Sequence, residues 1–276
     1  MGRVWVGTSG YNYKHWRSLY YPSELSMSRW LHYASRQFNS VELNGTFYSL
    51  KSPAVFRRWV AETPDDFLFA VKGSRYITHM LKLNDAAKPL GNFYASGVLA
   101  LGHKTGPFLW QFPSNLGYDF ERMEKFLRLL PWDSIAASRL AKKHDERVKR
   151  PLLKPAAPVP YRHAFEVRHP SFLTPQFYDQ LGRHSAALVI ADTAGKFPSA
   201  EEITTDFVYI RLHGSQAIYA SAYTDEELDE WAAKIKRWGR DTYVYFDNDA
   251  MAEAPHNALE LASRLGVGSA RTSHTP

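Results

Sequence analysis

Charged and polar side chains stand at the ends of several short, strongly apolar segments of this sequence. The segments SVELN, FLFAVK, HAFEVR and FVYIRLHG contribute Glu42, Lys72, Glu166, Arg168, Arg211 and His213. An unpaired buried charge is costly, so these groups must neutralise one another or a ligand. A guanidinium can clamp an anion, and an imidazole can transfer a proton near neutral pH. The set therefore points to acid–base chemistry on an anionic substrate.

The alternation of side chains along each segment predicts which of them share one face. Successive side chains of a strand point to opposite sides, and the apolar row Phe67, Phe69 and Val71 suits a helix layer. Lys72 should then point the other way, towards the interior. The same alternation places these side chains inward: Glu42, Asn44, Glu166, Arg168, Tyr209, Arg211 and His213. Further segments end in Gln111, in Asp192 and in Asp247-Asn248-Asp249, where the choice between Asp247 and Asn248 stays open.

We expect Lys72, Arg168 and Arg211 to hold a small anionic or phosphate-bearing substrate. Glu166 or Asp192 would act as the base and His213 as the acid, as in a hydrolase or lyase. Four further residues are expected to line the binding site: Glu42, Tyr48, Gln111 and Asn248. An internally compensated polar plug without chemistry is the alternative, because the carboxylates and cations nearly balance.

The same residues would suit two other uses. Glu166 and Asp192 would suit a two-carboxylate glycoside hydrolase, and the aromatic loops GYNYKHW and NGTFYSL would suit the stacking of a sugar ring. Glu166, Asp192, His213 and Asp247 would suit a divalent metal, but the neighbouring arginines oppose a cation. The sequence has no P-loop or GxGxxG motif, so we expect no nucleoside triphosphate or dinucleotide cofactor, and it has no G-x-S-x-G nucleophile elbow. No cofactor is therefore expected, with a divalent metal as the alternative.

The elements that must position these residues alternate along the chain. Eight segments read as strands: VWVGTS, NSVELN, FLFAVK, FLWQF, HAFEVR, AALVIAD, FVYIRLHG and TYVYFDN. Helical patterns separate them, the sixth being a weak stretch around PSAEEI. Eight such units predict a single closed (β/α)8 TIM barrel. In that fold the C-terminal ends of the strands carry the active site, which is where the ionic residues fall.

Length and composition agree with this class. The 276 residues are 45% hydrophobic and contain no cysteine, which excludes disulfides, thiolate nucleophiles and cysteine-ligated metals. We expect one domain over residues 1–267 and a flexible tail over 268–276. No apolar run is long enough for a membrane span and no secretory signal pattern is present, so a cytoplasmic protein with no membrane association is expected.

The net charge of +6 is concentrated in one place. A basic insertion at about 134–160, between the fourth helix and the fifth strand, holds seven Lys or Arg residues against two carboxylates. The cations are Arg139, Lys142, Lys143, Arg147, Lys149, Arg150 and Lys154. Their spacing predicts a solvated helix at the end of the barrel opposite the active site. A non-catalytic scaffold that binds nucleic acid or a protein through this insertion is the alternative function, although the nearly neutral barrel body gives nucleic acid no support.

The motifs also resemble a known family. GTSGYNYKHW, FNSVELNGTFYSL, FLFAVKGSR, FLWQFP, FEVRHPSF, ADTAG, VYIRLHG and YVYFDND occur in the order found in the domain of unknown function 72 family, whose members are also called YecE-like. The resemblance runs from about residue 3 to 266 and implies a TIM barrel without an assigned reaction. Its motif positions are Glu42, Thr46, Phe47, Tyr48, Lys72, Gln111, Pro113, Glu166, Arg168, His169, Asp192, Arg211, His213, Gly214 and Asn248.

Overall fold

Eight parallel strands form the centre of the molecule, as seen in a computed structural model that describes residues 2–267. The strands are β1 Val4–Thr8, β2 Ser40–Leu43, β3 Leu68–Lys72, β4 Thr105–Gln111, β5 His163–Glu166, β6 Ala187–Asp192, β7 Phe207–Leu212 and β8 Asp241–Phe246. The expected tail at 268–276 lies outside the described residues. The strands are neighbours in the order β1-β8-β7-β6-β5-β4-β3-β2. The predicted TIM-barrel topology is confirmed.

Side-chain and backbone contacts bring β1 and β2 together and nearly close the barrel. The Asn39 amide spans the gap, because its Oδ1 accepts from the Val6 amide at 2.8 Å and its Nδ2 donates to the Val4 carbonyl at 2.9 Å. The Gly10 amide donates to the Glu42 carbonyl at 2.8 Å. At Gly7 a Cβ atom would lie 1.9 Å from a carbonyl oxygen of β2, so only glycine allows this approach.

Helices surround the strands and pack their apolar faces on the outside of the sheet. They are α1 Trp30–Gln37, α2 Gly45–Tyr48, α3 Pro53–Glu62, α4 Ala87–Ala95, α5 Phe120–Leu129, α6 Ser134–Ala141, α7 Pro175–Arg183, α8 Asp225–Trp238 and α9 Glu253–Leu265. The longest, α8, begins with a capping box in which Thr224 and Glu227 exchange hydrogen bonds with each other's backbone amides. None of the helices in residues 2–267 is long and apolar enough to cross a membrane.

The expected sixth helix is absent. Residues 193–206, which connect β6 to β7, contain only turns and irregular backbone. The stretch around PSAEEI has too few apolar residues to form a face that packs on the sheet, and helices in proteins depend on such a face.

The basic insertion is also not the expected helix. Helix α6 ends at Ala141, and residues 142–162 are largely irregular with exposed cations. The chain turns where Asn92 of α4 exchanges two hydrogen bonds with Asp145, and it then returns to β5. The segment is therefore folded against α4 rather than extended as an arm. Its turn also reaches the C-terminal end of the barrel, because Arg147 lines a small cavity with Tyr48 and Ser74, which follow β2 and β3. The expectation that the whole segment is remote from that end is wrong.

The interior of the barrel is filled in layers. The lower layers are apolar and aromatic, with Ala70, Leu109, Ala164, Val189, Tyr209, Tyr243 and Tyr245 in one cluster. The outward-facing residues of β2 to β6 pack with the helices in a separate core, and those of β1, β7 and β8 pack in a second. The layer at the C-terminal ends of the strands is ionic, and it forms the candidate site.

Candidate functional site

Arg211 of β7 is the centre of a buried ionic cluster at the C-terminal end of the barrel. Its guanidinium binds both carboxylate oxygens of Glu42, with Nη2–Oε1 at 2.9 Å and Nε–Oε2 at 3.1 Å. Both side chains are 0% exposed. Glu42 also accepts hydrogen bonds from the Tyr209 hydroxyl at 2.6 Å and from Ser9. With these partners Glu42 has a structural environment rather than that of a free base.

Glu166 of β5 lies on the other side of Arg211. Its Oε2 accepts from Arg211 Nη1 at 2.7 Å, and its Oε1 accepts from Arg168 Nε at 3.1 Å. The Gln111 amide contacts both oxygens at 2.9 Å. Burial opposes ionisation of Glu166, but Arg211 and Arg168 outweigh it and hold the pKa of this carboxyl well below its usual range. Glu166 therefore stays ionised and fully engaged.

His213 is buried between two carboxylates. Its Nε2 lies 3.6 Å from Glu166 Oε1, and its Nδ1 lies 2.9 Å from Asp247 Oδ2. The second contact is an ion pair without the alignment of a hydrogen bond. Burial and Arg211 act to lower the pKa of His213, but the two carboxylates outweigh them and raise it. Asp247 is the residue that faces the cluster, and it binds Arg211 Nη2 at 3.0 Å.

Lys72 at the end of β3 is the cation with the fewest partners in this cluster. It is 7% exposed, and its Nζ lies 4.6 Å from the centroid of the Phe47 ring. No hydrogen-bond acceptor or carboxylate among the described residues contacts Nζ. Burial and the charge of Arg211 lower the pKa of Lys72 to about 8. Its ammonium group is thus available to a ligand.

The charges of the cluster balance without Lys72 when His213 is protonated, the form that its raised pKa favours. Three carboxylates, Glu42, Glu166 and Asp247, then face Arg211, Arg168 and the His213 imidazolium. In that state a protonated Lys72 is one positive charge in excess. An internally compensated polar plug therefore describes every charged residue of the cluster except Lys72. The excess positive charge of Lys72 favours an anion at the solvent-exposed side of the cluster.

Arg168 reaches the open side of the cluster and is held there by a loop residue. Its Nη2 donates to the Tyr219 hydroxyl at 3.1 Å, and its guanidinium lies 4.4 Å from the centroid of the Phe197 ring. Tyr219 adopts a left-handed backbone conformation with φ 66°. Such a conformation is unfavourable for tyrosine and persists where the surroundings impose it. The loop between β7 and α8 therefore positions Arg168.

Asp192 does not belong to this cluster. Ala187, Val189 and Ala191 fill the inside of β6, so alternation turns Asp192 towards the helices. Its Oδ2 accepts from the Tyr223 hydroxyl at 3.0 Å. The carboxylate lines a cavity of about 330 Å³ between the β6–β7 connection and α8. The expectation of Asp192 as a base in the barrel mouth is wrong, and the glycoside hydrolase pair Glu166 and Asp192 fails with it.

Asn248 also points away from the cluster. Its Nδ2 donates to the Ser221 carbonyl at 2.9 Å and to Asn257 Oδ1 at 3.0 Å. Asn257 Oδ1 in turn accepts from the Tyr223 amide at 3.0 Å. The expected substrate contact of Asn248 is thus replaced by a contact that anchors the loop after β7.

Tyr48 lies on the rim rather than in the cluster. It is 69% exposed and lines two cavities, one of about 350 Å³ that reaches Glu42 and one of about 230 Å³ beside Ser74. An exposed aromatic side chain at the edge of a charged site is suited to cover a bound ligand.

Several site residues were not singled out from the sequence. Tyr219 comes from a loop and His79 from the short π-helical segment Tyr76–Met80 after β3, and neither has a periodicity that predicts orientation. Asp249 belongs to a segment whose alternation was ambiguous, and burial together with Asp247 raises its pKa to about 6. Ser9 follows a glycine-rich strand without a clear apolar row. No three His, Asp or Glu side chains in residues 2–267 are arranged to hold a metal ion.

The fold and the cluster define a parallel (β/α)8 barrel with an ionic site at the C-terminal ends of its strands. The sequence matches the model of the family described as "Protein of unknown function DUF72" over residues 5–276. The chain belongs to the DUF72 family.

Relatives and solved structures agree with this assignment. The chain is 24% identical over 248 residues to the UPF0759 protein YecE of Escherichia coli K12, covering 80% of each chain. It is 22% identical over 296 residues to the UPF0759 protein YunF of Bacillus subtilis 168, covering 96% of this chain and 95% of the relative. A DUF72 family protein (TM1631) from Thermotoga maritima MSB8 is 28% identical, with a TM-score of 0.74 over 95% of this chain and 99% of that one. A DUF72 family protein from Enterococcus faecalis V583 shares the fold, with a TM-score of 0.71 at 17% identity, covering 96% of each chain.

Proposed function

We propose that this protein is an enzyme, hydrolase- or lyase-like, that binds a small anionic or phosphate-bearing substrate at the C-terminal mouth of the barrel. The observation that carries the proposal is the unpartnered ammonium group of Lys72 beside a charge-balanced cluster. Arg168 supplies a second cation at the same open side, since its side chain is 15% exposed. An anion that contacts both cations replaces water at a largely desolvated site, where electrostatic attraction is stronger.

We assign the acid–base roles from how deeply each side chain is buried below the mouth of the barrel. His213 is 0% exposed and lies beside Asp247, whose side chain is 14% exposed. We assign His213 as the proton source and Asp247 as the carboxylate that orients its ring and favours its charged form. Burial opposes the ionisation of Asp247, but Arg211 and His213 outweigh it and hold the pKa of Asp247 below its usual range. Glu166 and Gln111 position Arg168 and Arg211, because the bonds of Glu166 are already saturated by these groups.

The anion site is tested with sulfate and inorganic phosphate as probes, against chloride at equal ionic strength. Both probes should raise the thermal unfolding temperature, since a ligand at 100 times its Kd stabilises the native state by about 2.7 kcal/mol. Lys72→Met should weaken probe binding at least about tenfold, which corresponds to about 1.4 kcal/mol. Lys125→Met, at an exposed position of α5, is the matched control and should bind as the parent does. Equal binding by Lys72→Met and the parent, or no binding by the parent, would contradict the proposal.

The pH dependence and the chemistry supply independent readouts. Because the pKa of Lys72 is about 8, sulfate affinity should fall as pH rises through 8 and the ammonium group loses its proton. His213→Gln should abolish turnover in a screen of phosphate mono- and diesters while sulfate binding is kept within about threefold. A parent protein that binds sulfate but turns over none of these esters would refute the phosphoester substrate and leave the anion site intact.

A further inference from the structure

Two lysines of this protein are buried, and they differ in what surrounds the amine. Lys104 is 8% exposed, and its Nζ donates to the carbonyl oxygens of Val60 at 2.7 Å and Thr63 at 2.9 Å. Lys72 is 7% exposed and has no such acceptor among residues 2–267. Burial lowers the pKa of Lys104 as well, but its nitrogen is occupied by carbonyl acceptors, which bind the charged ammonium form. The contrast marks Lys72 as the buried amine whose nitrogen is not engaged by the fold.

The surroundings of Lys72 are those of a reactive amine. A lysine becomes nucleophilic when it is desolvated beside another cation, because the neutral form is then populated near neutral pH. Phe47 covers Nζ on one side, and Arg211 supplies the repelling charge. The resulting pKa of about 8 leaves an appreciable fraction of neutral amine at physiological pH.

A neutral imidazole lies on the same aromatic ring. The His79 ring centroid is 5.1 Å from that of Phe47, and His79 Nδ1 contacts Thr78 Oγ1 at 2.8 Å. Burial together with the charges of Lys72, Arg168 and Arg75 lowers the pKa of His79 to about 4. The ring is therefore uncharged at neutral pH and can accept or return a proton beside the amine.

We propose that Lys72 forms a covalent imine with the carbonyl carbon of an aldehyde or ketone that also carries an anionic group. This inference rests on the proposed function, since Arg168 would contact the anionic group at the same mouth. It narrows the substrate to a carbonyl compound such as a 2-oxo acid or a sugar phosphate.

The step balances without any further reagent. The neutral Nζ attacks the carbonyl carbon, a C–N bond forms, and the carbonyl oxygen takes up a proton to give a carbinolamine. Loss of that oxygen as water, carrying both amine hydrogens, leaves the imine. Protonation of the imine nitrogen restores the positive charge that Lys72 carried, so the charge of the cluster is the same before and after. We assign His79, whose uncharged ring packs on the same Phe47 ring as Nζ, to move the protons between nitrogen and oxygen.

Borohydride trapping tests the imine directly. The full-length protein is incubated separately with pyruvate, glyoxylate and dihydroxyacetone phosphate, reduced with sodium borohydride, digested and mapped by tandem mass spectrometry. We expect a reduced adduct on Lys72 with at least one probe and none on Lys104 in the same sample. Labelling should accelerate as pH rises from 7 through about 8, because the neutral amine is the nucleophile. Lys72→Arg should lose the adduct, and retained sulfate binding by this variant would show that its site is still folded.

The outcomes separate the two proposals. An adduct on Lys72 that sulfate suppresses supports both. Sulfate binding without an adduct on Lys72 for any of the three probes overturns the imine and leaves the anion site standing. An adduct on Lys72 without sulfate binding overturns the anion site and supports the covalent step. Adducts spread equally over exposed lysines such as Lys125 would mean non-specific reaction and would also overturn the inference.

Discussion

Asp192 Oδ2 accepts a hydrogen bond of 3.0 Å from the Tyr223 hydroxyl, which in turn accepts one of 3.0 Å from the Gly214 amide. The contact ties the end of β6 to both ends of the loop that follows β7. That loop carries Tyr219, which holds Arg168. Asp192, whose carboxylate lies outside the barrel, thus helps to hold Arg168 at the mouth of the barrel. The connection runs through Tyr223 and the loop between β7 and α8.

Removal of this phenol should loosen the loop without unfolding the barrel. For Tyr223→Phe we expect a loss of about 1–2 kcal/mol in the free energy of unfolding, because a hydrogen-bond network on a buried group is broken. Amide hydrogen exchange should accelerate in residues 214–222. Tyr178→Phe on α7 is the control and should leave exchange there unchanged. Unaltered protection of 214–222 in Tyr223→Phe would show that the phenol does not anchor the loop.

Arg211 should dominate the stability of the ionic layer. Arg211→Met leaves Glu42, Glu166 and Asp247 buried without their shared partner, and the loss of one member of a buried ion pair costs about 3–5 kcal/mol. Urea unfolding measures this change. Arg58→Met removes an i,i+4 pair with Glu62 in which the arginine side chain is 63% exposed, and it should change stability by less than about 1 kcal/mol. Similar losses for both variants would be incompatible with a cluster centred on Arg211.

A histidine buried between β5 and the surrounding helix layer should make the fold sensitive to acid. Burial lowers the pKa of His163 to about 4, while the Pro131 carbonyl, 2.8 Å from Nε2, opposes the shift. The unfolded chain takes up this proton near pH 6.5 and the folded chain only near 4, so this group removes stability as pH falls from 6.5 to 4.

His163→Gln should reduce the slope of unfolding free energy against pH in that window by up to about 1.4 kcal/mol per pH unit. Urea titrations at stepwise pH measure it. The exposed His103→Gln is the comparison and should keep the parent slope. An identical slope in His163→Gln and the parent would rule out the titration of His163 as a source of acid sensitivity.

Alternation along the strands predicted most of the ionic layer correctly. In β3 and β7 one face is a continuous row of apolar residues, so the opposite orientation of Lys72 and Arg211 could be read from it. The rows are Phe69 and Val71 in β3, and Val208, Ile210 and Leu212 in β7. Strand β6 gives no such contrast, because both of its faces are buried and both are apolar. For that reason the direction of Asp192 could not be determined from the sequence.

Loops and charge patterns were less informative. The spacing of the cations in 139–154 suggested a helix, but the turn at Asp145 depends on an amide of α4, which is distant in sequence. Tyr219 reaches the site through a loop and His79 through the short helical segment Tyr76–Met80, and tertiary contacts set the course of both. Such contacts leave no local period in the sequence.

The connection 193–206 between β6 and β7 contains no helix, so the layer of helices outside the sheet is interrupted between α7 and α8. The cavity beside Asp192 occupies this sector, and α8 alone closes it on the other side. Phe197 of this connection packs on Arg168, so its neighbourhood belongs to the mouth of the barrel. Because no helix there has to dock for the strands to pair, the residues after Phe197 are suited to accept an inserted peptide or a reporter label beside the mouth.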